Sequence, residues 1–110
     1  MSLNRKTLYK SRFYDEINDI IDFISENSTQ GAIKFAQGIK PVIEKIIKHP
    51  EANSIVRQIP TQRNWYRYKL YKKRYKIIFK VLKNKIVFLS IIHTSKHPSE
   101  IVKLRTSDYS

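Results

Sequence analysis

The feature that most restricts the fold is a change of hydrophobic period at Pro50. Before it apolar residues recur every three to four positions, and after it they alternate with polar ones, so a helical half is followed by a strand half. Residues 11–26 place Phe13, Ile17, Ile20, Ile21 and Ile24 on one stripe, with Asp15, Asp19, Asp22 and Glu26 elsewhere. That spacing predicts an amphipathic helix burying one side. Ser11 is its expected N-cap, with Asp15 and Glu16 suited to the positive end of the dipole. Residues 29–48 repeat the period through Ala32, Phe35, Ala36, Ile39, Val42, Ile43, Ile46 and Ile47. Ser28 or Thr29 is the expected cap, Gly38 and Pro41 predict a kink or a weakened first half, and Pro50 ends the helix. So few residues separate the two stripes that an antiparallel helical hairpin is the simplest arrangement.

Beyond Pro50, the run 65–71 separates Tyr66, Tyr68 and Leu70 from Arg67 and Lys69. The run 75–81 sets Tyr75, Ile77, Phe79 and Val81 on one face and Lys76, Ile78 and Lys80 on the other, the alternation of a strand. Lys83-Asn84 occupies a hairpin position, where Asn tolerates positive φ. Residues 86–92 are apolar on both faces apart from Ser90, as in a central strand covered on two sides. Residues 6–10 and 54–59 are weaker strand candidates. The expectation is one α+β domain over residues 1–110: an N-terminal strand, the helical hairpin, then a three- to four-stranded antiparallel sheet. Residues 1–3 read as an appended start.

Charge follows the same division. The chain has 22 Lys and Arg against 9 Asp and Glu, a formal net charge of +13. Residues 1–55 are nearly balanced, whereas no carboxylate occurs between Glu51 and Glu100, a stretch holding twelve cations. Like charges repel when a chain compacts, so this arrangement predicts a strongly negative partner, either nucleic acid or an acidic protein segment. Cysteine is absent, which excludes disulfides, thiolate metal sites and Cys nucleophiles. No apolar run approaches the roughly 20 residues of a membrane span, and no signal-like segment follows Arg5 and Lys6. A cytoplasmic protein without a membrane anchor is expected.

Cations at alternate positions of neighbouring strands form a grid suited to a phosphate chain, and Tyr or Trp between them could stack on unpaired bases. The same aromatics serve equally as core and cross-strand packing. His93 stands just past the last apolar run, and because histidine as a residue type ordinarily titrates near working pH it is a candidate for general acid or base work in phosphodiester cleavage. Its alternative is a structural bond to loop backbone. His49, His93 and His97 lack paired-ligand spacing because Pro98 and the strand pattern argue against a helix there. No metal site is expected. With only Gly31 and Gly38 there is no phosphate-cradling glycine loop and no expected cofactor.

In order and spacing the chain resembles the RelE/ParE superfamily of toxins from bacterial toxin-antitoxin modules. The resemblance rests on the first strand, the helical hairpin, the proline after it, Arg67, the signature Tyr75-Lys76-Ile77-Ile78-Phe79-Lys80-Val81, and the closing Ile91-Ile92-His93-Thr94-Ser95-Lys96-His97-Pro98. It implies a microbial-ribonuclease-like fold and a toxin of the plasmid-stabilisation type, neutralised by an acidic antitoxin wrapping its sheet and helices. Two long apolar helices and no compact His-Tyr terminus point to a ParE-like member, acting on a target such as DNA gyrase. The expected recognition surface is then Arg67, Lys69, Lys76, Lys80, His93 and Lys96. The alternative is a RelE-like, metal-independent, ribosome-dependent mRNA endonuclease with Arg67, Lys76 and His93 as its catalytic group. A third reading is a non-toxic nucleic-acid-binding module. Lys76 and Lys96 stand where many relatives carry Arg, and Lys lacks the planar bidentate contact that Arg makes with phosphate or carboxylate.

Overall fold

A computed structural model describes residues 5–96 and 98–108. His97 and residues 1–3, assigned above to the closing segment and the appended start, lie outside them. The elements are β1 (Lys6–Tyr9), α1 (Ser11–Ser25), α2 (Thr29–Lys48), a 3₁₀ turn (Pro50–Ala52), β2 (Ser54–Ile55), β3 (Tyr66–Tyr71), β4 (Tyr75–Val81), β5 (Lys85–His93) and α3 (Pro98–Asp108). The strands form one sheet in the order β1-β5-β4-β3-β2. β2 to β5 pair antiparallel, while β1 joins the outer edge of β5 in parallel, Tyr9 opposite Phe88. The sheet is therefore mixed and has five strands, because the helical hairpin carries the chain back over the sheet before the antiparallel part begins.

α1 and α2 cover one face, where Phe13, Phe35 and Ile46 meet Ile77, Phe79 and Phe88. The other face has its own core: Val56, Ile59, Ile101 and Leu104 pack on Tyr66, Ile78, Leu89 and Ile92. This second layer explains why residues 86–92 are apolar on both sides. α3 supplies half of it. Pro98, read above as opposing a helix nearby, stands at the start of α3, where its fixed φ and missing N–H suit the first turn.

The helix ends differ from expectation in one place. Ser28 caps α2 by accepting from the Gly31 N–H at 2.9 Å, but Ser11 is already the first residue of α1 and Lys10 precedes it without a side-chain cap bond. The first turn of α1 holds no acid, so Asp15 and Glu16 lie beyond the short reach of the dipole. α2 runs through Pro41 as one helix. Buried Ala32, Phe35 and Ile39 hold the half before it, which offsets the hydrogen bond that the proline removes.

The β4–β5 turn closes through the Leu82 N–H on the Lys85 carbonyl at 2.9 Å, with neither Lys83 nor Asn84 at positive φ. Left-handed φ falls instead on Asn64, Lys72 and Lys73. Among the described residues no helix is long and apolar enough to cross a membrane.

Candidate functional site

Strand alternation decides which cations share a surface. Directly paired residues of antiparallel strands point to the same side, and the register sets Tyr66 opposite Lys80 and Leu70 opposite Lys76. These lie on the face away from the hairpin. Arg67 pairs with Phe79 and Lys69 with Ile77, both of which face the helices. His93 pairs with Tyr75, also on the hairpin side. The six cationic and histidine side chains expected to form one recognition surface are thus divided between two faces, with Lys96 in the loop after β5.

On the face away from the hairpin, the cations are bedded on aromatic rings. Lys76 Nζ lies 4.8 Å from the centre of the Tyr68 ring, and Lys80 Nζ lies 5.5 Å from Trp65 and 5.4 Å from Tyr66. Such contacts hold an ammonium against a negative ring face. Lys80 is only 9 % exposed. Tyr66, at 1 % exposure, belongs to the core and has no face left for a base, whereas Trp65 and Tyr68 are half-buried. Beside them Leu8, Lys10, Lys80, Leu82 and Lys85 line a cleft of about 360 Å³.

Arg67 has a local role. Its Nη1 donates to the carbonyls of Glu51 at 3.2 Å and Asn53 at 2.8 Å, tying the 3₁₀ turn to β3, while its Nε is buried with no partner. Next to it, Arg5 donates to the Leu82 carbonyl and pairs with Glu51 at 2.7 Å. Arg5 thereby ties the start of β1 to the β4–β5 turn and to the 3₁₀ turn after α2, a contact without a signal in the sequence.

His93 is exposed, its ring edge-on to Tyr75 at 5.5 Å between centres. Its Nδ1 accepts the Ser95 N–H at 3.0 Å and lies 2.7 Å from Ser95 Oγ. An N–H only donates, so in the neutral ring the proton sits on Nε2. The loop bond anticipated as the alternative role of this histidine is present. Arg67, Lys76 and His93 do not meet. Arg67 and His93 are four β4 positions apart by register, roughly 13 Å along the strand at ~3.3 Å per residue, and Lys76 projects from the opposite face.

Two further features carried no usable sequence signal. The hairpin helices and β1 enclose an apolar groove of about 490 Å³ lined by Tyr9, Phe13, Tyr14, Ile17, Ile39 and Ile43 among others. Burial and the neighbouring Tyr14 push the Tyr9 phenol above its ordinary pKa, so it stays neutral there. The second is the β3–β4 turn, whose cations Lys72, Lys73 and Arg74 are all exposed.

A sequence profile of the ParE toxin of type II toxin-antitoxin system, parDE, matches residues 8–98, from β1 to the first residue of α3. No curated protein matches the chain in sequence. Among solved structures, a chain of the chromosomal ParDE TA system from P. aeruginosa has a similar fold. The TM-score is 0.65 at 15% identity, over 84% of this chain and 98% of that one.

Proposed function

Because the chain belongs to the ParE toxin family of type II toxin-antitoxin systems, we propose that it arrests growth by inhibiting an essential cytoplasmic target such as DNA gyrase, and that an acidic antitoxin neutralises it. The observation that carries this reading is the family match over residues 8–98, which spans both hairpin helices and β2 to β5. The separation of Arg67, Lys76 and His93 favours a toxin that binds over one that cleaves, since phosphodiester cleavage needs its acid, base and cations around one phosphorus. With Arg67 turned to backbone carbonyls and Lys80 largely buried, the distribution of Lys69, Lys76, His93 and Lys96 over two faces and a loop suits an acidic chain that wraps the sheet. The apolar groove on the hairpin offers such a chain a hydrophobic anchor.

Inducible expression tests the reading. Growth should stop with the DNA-damage response induced and mRNA intact, and co-expression of a small acidic protein encoded beside the gene should restore growth. Codon-periodic mRNA cuts that disappear in His93→Ala would instead establish the endonuclease.

A further inference from the structure

We infer that the β3–β4 hairpin tip, with the loop after β5, is a second binding site, one that grips the sugar-phosphate backbone of duplex DNA without reading sequence. The inference does not depend on gyrase being the target. Its starting point is a turn whose residues suit the backbone poorly. Tyr71-Lys72-Lys73-Arg74 closes through the Arg74 N–H on the Tyr71 carbonyl at 3.3 Å, with φ of 52° at Lys72 and 62° at Lys73. Two consecutive left-handed residues define the tight hairpin turn for which Asn-Gly is the favoured pair. A lysine there crowds its Cβ against the following carbonyl, and this turn contains two. Strain of this kind persists where the side chains serve something other than folding.

What the two lysines add is charge at one place. Lys72, Lys73 and Arg74 are consecutive and exposed, and no described carboxylate pairs with them. The Thr94 N–H donates to the Arg74 carbonyl at 2.8 Å, and the Lys96 N–H to the His93 carbonyl at 3.0 Å, so the loop carrying exposed Lys96 is folded back onto the turn. Four exposed cations and His93 therefore stand together at one end of the sheet, with Lys72 Nζ 5.6 Å from the centre of the Tyr71 ring. Neither 72–74 nor 93–96 contains an apolar residue. A docked protein segment needs an apolar anchor at the centre of its contact, and the tip offers none. A phosphate chain needs only cations at its spacing. The turn and loop hold no Phe, Tyr or Trp to stack on a base, and the exposed His93 ring is held by Ser95 and Tyr75, so the contact is to the backbone.

The test uses the full-length protein and a fluorescent DNA duplex of about 20 base pairs of arbitrary sequence, titrated at several salt concentrations. Lys72→Asn/Lys73→Gly removes two charges and installs the residues the turn prefers. Its melting temperature should rise by roughly 4–8 °C. Its affinity for DNA should fall about fivefold or more, with the salt dependence shallower by about one log unit per lysine. The control, Lys45→Gln/Lys48→Gln, removes two exposed charges from the far end of α2 and should bind within about twofold of the parent.

Equal weakening in the control would show that diffuse charge is responsible, and the inference fails. It fails as well if the turn variant keeps the parent's affinity and salt slope, or if its melting temperature does not rise. A turn variant that loses binding to polyglutamate but retains DNA would assign the tip to an acidic protein instead.

Discussion

Tyr71 shows how much one side chain settles. Its ring is 5 % exposed, packs edge-on against Phe35 at 5.2 Å, and donates its hydroxyl to the Phe35 carbonyl at 2.7 Å. That bond joins β3 to the middle of α2. The hydroxyl comes so close to Gly38 that a Cβ there would collide with it, which accounts for a glycine inside a helix where it is otherwise unfavourable. Gly38→Ala should therefore destabilise the protein by about 1–3 kcal/mol in urea titrations. In a Tyr71→Phe background, which alone costs about 1 kcal/mol, the same change should cost less than half as much, because the colliding hydroxyl is gone, the ring carbon left at 3.3 Å has only to shift slightly, and Ala is the better helix former. Equal losses in the two backgrounds would refute this account. Burial also raises the Tyr71 phenol above its ordinary value of 10.0. Below that value both folded and unfolded chains keep the proton. Above it the unfolded chain releases its proton first, so stability falls as pH climbs from 10.0 towards the raised folded value. Urea midpoints at about pH 9 and about pH 11 should draw closer together in Tyr71→Phe than in the parent.

At the level of elements, the decisive junction is between α1 and the irregular part of β5. The β4–β5 register shifts between Ile78 and Phe79, which pair with Ser90 and Phe88, leaving Leu89 without a partner. A bulge frees backbone groups from the ladder. Glu16 bonds to the residues just beyond it: its Oε1 accepts the Ser90 hydroxyl at 2.5 Å and the Ile91 N–H at 3.3 Å, and Arg12 flanks the carboxylate at 3.5 Å. The residue that resembled a dipole partner in sequence is thus a clamp between helix and sheet. Glu16→Ala should cost about 2–3 kcal/mol, since it leaves a fully buried hydroxyl and an N–H unsatisfied. Glu16→Gln retains an acceptor oxygen and should cost less than half as much. Equal losses in the two variants, measured by denaturant titration, would show that the carboxylate charge matters more than the hydrogen bonds. The helices and long strands were legible because their apolar periods are long. The bulge, the parallel seat of β1 and α3 were not, because each depends on partners distant in sequence.

Across the whole molecule, the excess of positive charge governs how stability responds to the medium. A net +13 on 110 residues sets cations against one another over the sheet half, and that repulsion weakens as salt shortens the Debye length from about 30 Å at 0.01 M to about 10 Å at 0.1 M. The melting temperature should rise between those two concentrations of sodium chloride. A fall would mean that native ion pairs such as Arg5–Glu51 outweigh the repulsion. An acidic partner that binds only the folded chain would stabilise it further by mass action, so toxin and antitoxin together should melt higher than the toxin alone.

The sequence by itself determined the order of helices and strands as far as β5, the two-sided burial of that strand and the concentration of positive charge in the sheet half. Periodicity and charge count are local properties, and the backbone has few ways to satisfy them. Only the tertiary structure decided which cations share a surface. A two-residue period says that Arg67 and Tyr68 point to opposite sides. It does not say which side the helices will cover, and that depends on register and on the bulge at Leu89. The same holds for Arg67, which reads as a phosphate ligand until the chain folds and brings the Glu51 and Asn53 carbonyls to its guanidinium. Its role was set by acceptors more than ten residues away in the chain, and no local pattern encodes them.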